Sequence, residues 1–297
     1  MPLCLLRDVY TVYGDLLVKK ETAITPSVIA KIRSMSNKHK QVRVPLKNTD
    51  IFTDFEKIFD DERYSTMLAS PVSKAQICKI AGRLRIENDL IFELNNMKRN
   101  LPYTYRHVLV VAAFVIKLSR TYRPRIFDEE IISHCGFTHD IGKTRVPISI
   151  LNKKEALTRE ERAVIETHPT MGYLLLNYYL KKDRVECALA SLDHHERMDG
   201  SGYPCGIKRL SKYTQLISPV DVMDALMTSR PYRNKVFSLR ATLDYLLREA
   251  VMKRLNKDVI LTLISYARKD KPDIKKMKIS AETRERLPEA MTHDKYQ

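Results

Sequence analysis

Five of the eight histidines in this 297-residue chain, His107, His139, His168, His194 and His195, fall within a stretch of 89 residues. A single histidine on an apolar face is more often a packed core residue than a ligand, and His39, His134 and His293 take that ordinary core or surface reading. The five differ in their company. His139 is followed at once by Asp140, at the end of the apolar segment 131–138, and on a helix Ile132, Cys135 and His139 share a face. A carboxylate buried beside an imidazole is costly unless it is paired or binds a cation, so a metal is the simplest explanation. Lys143, about one turn on, supplies a positive charge suited to a phosphate oxygen. His168 lies one turn past Val164 and Ile165, on a helix whose start is marked by the capping box Thr158-x-x-Glu161, so its side chain faces inward. His194 and His195 follow an apolar stripe of Val185, Ala188, Leu189 and Leu192, which turns at least one of them into the same interior. Asp221 sits in the apolar run 220–226 and is a natural ligand. Asp224, one turn on, reads as a supporting or capping group. Imidazole and carboxylate donors without thiolate suit iron, manganese, zinc or nickel, and a carboxylate can bridge two such ions. Two ions roughly 3.5–4 Å apart activate a hydroxide and stabilise the in-line transition state of phosphodiester hydrolysis.

These residues need elements to hold them. Only eight glycines and long stretches of three-to-four-residue apolar spacing imply a mainly α protein. The first 50 residues are the exception, with β-forming runs at Val9, Tyr10, Val12 and Tyr13, at Leu16 to Val18, and at Val42 and Val44. Between them Thr25-Pro26 opens a short helix whose apolar stripe is Val28, Ile29 and Ile32. This makes 1–50 a small α+β module. Residues 51–100 read as a helical linker carrying Phe55, Ile58 and Phe59. After Ser70-Pro71 comes a second helix with Ile77, Leu84 and Ile91 seven residues apart and Ile80 and Leu94 on the same stripe. That 73–97 helix either packs on its own domain or pairs with a second copy as a homodimer. Residues 101–255 hold the chemistry, and 256–297 form a basic helical tail with the run Lys271 to Lys278.

The formal charge is +16, and residues 206–297, with 20 Lys/Arg against 11 Asp/Glu, carry +9 of it. Such a field favours anionic partners without choosing among nucleic acid, acidic protein and phosphate metabolites. The opening MPLCLLRDVY has too short an apolar run for a signal peptide, and the run 174–180 is far below the roughly 20 residues of a membrane span, so a cytoplasmic protein off the membrane is expected. Five scattered cysteines (Cys4, Cys78, Cys135, Cys187, Cys205) lack any CxxC pair and point to reduced thiols rather than a disulfide framework or zinc knuckle.

The segment HDIGK at 139–143, with Val146-Pro147 and Ile150-Leu151 after it, the block HHERMDGSGYP at 194–204, and SRPYR at 229–233 together resemble the HD-GYP family of bacterial cyclic-di-GMP phosphodiesterases. The resemblance covers about 100–240, and the first 50 residues loosely. It implies an HD-type helical bundle with a small N-terminal α+β module, and hydrolysis of cyclic-di-GMP to pGpG and on to GMP. It implies two divalent ions, iron first and manganese next. Asp140 would bridge them, with His139, Asp221 and His107 on one ion and His168, His194 and His195 on the other. Asp140 and Lys143 would be catalytic, and Lys143, Arg230, Arg233 and Tyr203 would hold substrate. Gly202-Tyr203-Pro204 would shape the edge of the site and contact a diguanylate cyclase. Three positions depart from the family pattern. Members with a third metal carry a carboxylate four residues before the early histidine, where this chain has Tyr103, so two metals are implied. The usual aromatic before the second motif's aspartate is Met198, and the stretch from Cys205 to Asp221 is two residues short. These departures keep two other readings open: a metal-retaining cyclic-dinucleotide sensor or scaffold with little turnover, and a hydrolase for another nucleotide such as cyclic GMP-AMP. Direct nucleic-acid binding through the tail is the weakest option.

Overall fold

A computed structural model describes residues 3, 5–36, 42–68, 70–122, 125–180, 184–229 and 236–274. The architecture is mainly helical, with two small antiparallel sheets. Strands β1 (Val9–Tyr10) and β2 (Leu16–Val18) form a hairpin, followed by α1 (Pro26–Ser36), which buries Ile29 and Ile32 as its apolar stripe requires. Strand β3 (Arg43–Pro45) follows where Val42 and Val44 announced it. Helices α2 (Asp50–Lys57), α3 (Ser65–Leu68) and α4 (Pro71–Arg83) come next.

Here the structure corrects the sequence. The 73–97 segment is not one helix: α4 ends at Arg83, β4 (Arg85–Glu87) intervenes, and α5 (Asn88–Asn100) begins anew. Val44 pairs with Ile86, and the Leu46 amide donates to the Leu84 carbonyl at 2.8 Å. Leu84 and Ile86 are thereby buried while Arg85 stays exposed, a period of two that tertiary pairing imposes over helical propensity. Ile77, Leu84 and Leu94 all lie in the chain's own core. Most of the stripe expected to pair two copies is therefore covered by the chain's own core, with Ile91 partly buried beside it.

Helix α6 (Pro102–Thr121) runs through the middle of the molecule and buries every residue from Val108 to Ile116. Around it pack α5, α7 (Glu129–Thr138) and, further along the chain, α12 (Lys212–Met227). Between these come α8 (Ile148–Leu151), α9 (Arg159–Glu166), α10 (His168–Tyr179) and α11 (Val185–Asp193). Helices α13 (Leu239–Val251) and α14 (Lys257–Ala267) close the bundle. Buried apolar side chains form a continuous cluster from Leu5 to Tyr266, and β3 joins β4 across the expected boundary at residue 50. Among the described residues no helix is long and apolar enough to cross a membrane. Most of the basic run of the tail lies outside the described residues, as do His39 and His293.

Candidate metal centre

The end of α7 sets the first donors. Asp128 caps the helix start, accepting from the amides of Glu130 and Ile131 at 2.9 Å each, and the helix then runs to Thr138. His139 follows as its C-cap, and Asp140 precedes a short 3-10 helix, Ile141–Arg145. A Cβ on Gly142 would lie 1.9 Å from the His168 carbonyl oxygen. Only glycine lets the two backbones meet there, and that contact brings Asp140 beside His168.

His168 itself stands differently from expectation. The capping box Thr158/Glu161 forms, but α9 stops at Glu166 and His168 opens α10. Pro169 explains the break: it has no N–H for the Ile165 carbonyl four residues back, and a proline inside a helix clashes with that carbonyl. The freed Ile165 carbonyl accepts instead from His168 Nδ1 at 2.7 Å. Two more histidines use the same device. His139 Nδ1 donates to the Gly136 carbonyl (3.0 Å) and His194 Nδ1 to the Ser191 carbonyl (2.8 Å), each among the last carbonyls of a helix, where no backbone donor remains. His107, on α6, places Nδ1 2.6 Å from Asp224 Oδ2.

A carbonyl or carboxylate can only accept, so each of these four rings is protonated on Nδ1 and, when neutral, presents the Nε2 lone pair. The four Nε2 atoms converge. His107 and His139 stand 3.3 Å apart, His168 and His194 3.3 Å, and the His195 Nε2 lies 3.2 Å from that of His168. Asp140 sits between the groups, with Oδ1 3.2 Å from His168 and 3.5 Å from His194, and Oδ2 3.7 Å from His107 and 3.8 Å from His139. The donors therefore form two sets, His107/His139/Asp140 and Asp140/His168/His194/His195, which share Asp140. Asp221 adjoins the first set, with Oδ1 3.1 Å from His107 Nε2, and reaches toward the second, with Oδ2 3.8 Å from His195 Nδ1.

Burial disfavours the charged ring and holds His139 down at about 3 and His168 at about 4, so both are neutral donors at pH 7. In His107 burial acts the same way, but the hydrogen bonds to Asp221 and Asp224 outweigh it and push the ring up to about 9. Burial also opposes ionisation of Asp140, yet the Lys143 ammonium beside it leads in holding its carboxyl well below the usual range. Asp140 Oδ1 is buried without a hydrogen-bond partner. Facing lone pairs beside an orphaned carboxylate oxygen are repulsive unless a cation lies among them, so this donor set fits divalent metal ions.

Lys143 Nζ lies 2.6 Å from Asp140 Oδ2, at the edge of the cluster. His195, 16% exposed, is at its mouth, and the Tyr203 ring stacks on it with centroids 4.7 Å apart and planes 17° from parallel. That stacking depends on Gly202, whose Cβ would come within 2.4 Å of Glu196 Cα and Arg197 N. Glu196 fixes the rest of the loop by accepting from the amides of Cys205, Gly206 and Ile207. The Tyr203–Pro204 peptide bond is cis. Tyr103 is 53% exposed on the first turn of α6, four residues before His107. Arg230 and Arg233 lie outside the described residues. Asp224 takes the supporting place anticipated for it. Ser191 and Ser218 were not anticipated: their hydroxyls donate to the carbonyls of His139 (2.6 Å) and His194 (2.8 Å). Their only signal in the sequence is a small polar residue within an apolar run.

The chain is similar to several known proteins. A family model described as "HD domain" matches residues 92–259. A cyclic di-GMP phosphodiesterase of Pseudomonas aeruginosa is 31% identical over 183 residues, covering 59% of this chain and 43% of that protein. A cyclic di-GMP phosphodiesterase response regulator of Xanthomonas campestris is 39% identical over 118 residues, 39% of this chain and 31% of its own length. A 3'3'-cGAMP-specific phosphodiesterase of Vibrio cholerae is 30% identical over 164 residues, 54% and 37% respectively. The matches thus span less than half the length of these curated relatives.

Proposed function

We propose, from the premise that this chain belongs to the HD domain family and to its HD-GYP branch, that it is a divalent-metal phosphodiesterase opening cyclic-di-GMP to linear pGpG. One observation carries the reading: a single buried carboxylate, Asp140, is shared by two imidazole sets and has an oxygen without a partner. Two ions, iron first and manganese next, would be held by His107, His139, Asp221 and Asp140 on one side and by Asp140, His168, His194 and His195 on the other. Bound there, they would supply a hydroxide at neutral pH and neutralise charge on the phosphate. Hydrolysis adds OH to one phosphorus and a proton to the departing ribose oxygen, and a second round yields GMP. Tyr103, with no carboxylate to offer, supports two ions rather than three.

Lys143 is placed to exchange its pairing with Asp140 for a phosphate oxygen when substrate arrives. Tyr203 borders the mouth beside His195, and Arg230 and Arg233 follow α12 in the chain to complete the phosphate contacts. Ser201, Cys205 and Gly206 are exposed on the same loop and leave its rim open to a protein partner, for which a diguanylate cyclase is our proposal. The catalytic unit is taken as 101–255, acting in the cytoplasm. Because one relative bears the name of a 3'3'-cGAMP-specific enzyme, hydrolysis of that dinucleotide is the second reading.

The test is a product assay on protein loaded anaerobically with iron or manganese. Chromatography should show pGpG with wild type and none with His139→Ala or Asp140→Ala. Cyclic-di-GMP and 3'3'-cGAMP supplied together would rank the two substrates. Fully metallated protein that turns over no cyclic dinucleotide would sink the proposal, and tight binding of intact cyclic-di-GMP without product would select a sensor in its place.

A further inference from the structure

Of the four rings protonated on Nδ1, His139, His168 and His194 are oriented by backbone carbonyls that their helices already fix. His107 is oriented by a side chain, Asp224, which has rotational freedom of its own and must be held in turn. Its other oxygen, Oδ1, accepts from the hydroxyl of Tyr64, and from Thr228 Oγ1 at 3.2 Å. Tyr64 is fully buried, its ring set edge-on against Phe114 with centroids 5.5 Å apart. The next residue back, Arg63, donates from Nη1 to the Met227 carbonyl and to Thr228 Oγ1, both at 3.0 Å, while Asp61 takes its Nε and Nη2. The turn 61–64 is thus fastened to the end of α12, the helix that carries Asp221 and Asp224. It lies upstream of the matched region 92–259 and outside every motif noted above.

We propose that Tyr64 is a positioning residue of the metal centre, fixing Asp224 so that His107 Nε2 stays aimed at one of the two ions. The proposal rests on the reading of His107 as a ligand. Loss of such an outer partner typically lowers metal affinity about 10–100-fold. Because only His107 depends on this relay, one of the two sites should weaken and the other should not.

Titration of the whole metal-free chain with Mn(II), following free Mn(II) by electron paramagnetic resonance, reads this without substrate. Wild type should bind two ions, and Tyr64→Phe, which keeps the buried ring, should weaken one site about tenfold and leave the other unchanged. Asp224→Asn should weaken the same site, and the double variant should lose little more than Asp224→Asn alone, as expected for residues acting through one another. Should Tyr64→Phe fail to fold, Thr228→Val removes the other donor to Oδ1 and should weaken that site to a smaller degree. Unchanged affinities in the variants, or equal loss at both sites, would overturn the proposal. Wild type that binds no Mn(II) would overturn the ligand reading itself, and the relay with it.

Discussion

His134 and His139 stand five residues apart at the end of α7, and neither is exposed to solvent, yet their surroundings differ in kind. His134 lies in a cluster of Arg43, Glu87, Glu130 and Arg184, two cations and two carboxylates that pair among themselves. Arg184 contacts Glu87 at 3.2 Å and Glu130 at 2.6 Å, Arg43 contacts Glu87 at 3.3 Å, and His134 Nε2 accepts from Arg184 Nη1 at 2.5 Å. Its lone pair is therefore already engaged. His139 keeps its Nε2 lone pair free of any such donor, 3.3 Å from His107 Nε2 across a gap that Asp140 also borders. Both clusters set a buried imidazole beside carboxylates. What separates a structural network from a ligand set is where the second nitrogen's lone pair goes.

Three measurements would sharpen or break that contrast. The largest effect is expected at Asp140. Asp140→Asn keeps the shape but removes the shared charge, so metal content should fall and turnover should drop by about 10⁴-fold or more, as for other groups that act as a unit. Elemental analysis alongside the product assay reads both, and full metal content in the variant would argue against a shared ligand. Arg184→Met should do the reverse. It leaves Glu87, which is 2% exposed, to Arg43 alone, and should cost about 3 kcal/mol in urea unfolding, the lower end for a buried pair that loses one partner. Metal content per folded chain should stay at the wild-type value.

The smallest effect concerns pH. Burial first, and then Arg184 and Arg43, hold His134 at about 3, against an ordinary value near 6.5. Below pH 6.5 the unfolded chain takes up a proton that the folded chain refuses, so this contribution is complete above 6.5 and is lost as pH falls toward 3. The slope should approach 1.4 kcal/mol per pH unit at most. Unfolding curves from pH 6.5 to 4.5 should therefore fall less steeply for His134→Gln than for wild type, and parallel curves would mean that His134 is protonated in the folded protein.

How far these regions were legible beforehand follows from the range of the interactions. The doublets His139-Asp140 and His194-His195, the capping box at Thr158 and the β-forming run of Leu16 to Val18 are local patterns, visible in a short window. Strand β4 was hidden because Leu84 and Ile91 fit a helical stripe, and the partner that makes a strand of 85–87 lies some forty residues earlier. The reading that kept His168 on the capping-box helix passed over Pro169, the local signal for the break before α10. Tyr64 offered no signal. Its contact with Asp224 spans 160 residues, and a buried tyrosine is ordinary.

Three of the histidines reach back three residues from a helix terminus to one of the last carbonyls of that helix. To a protein engineer this is a portable component: a helix end and one histidine in the right place, with no auxiliary side chain to design. Each ring arrives with its tautomer chosen and its torsions already restrained, so little side-chain entropy remains to be lost when a ligand is captured. A centre assembled from such ends can change its neighbouring helices over evolutionary time and keep its aim, whereas the one ring steered by a side chain ties the site to a distant turn.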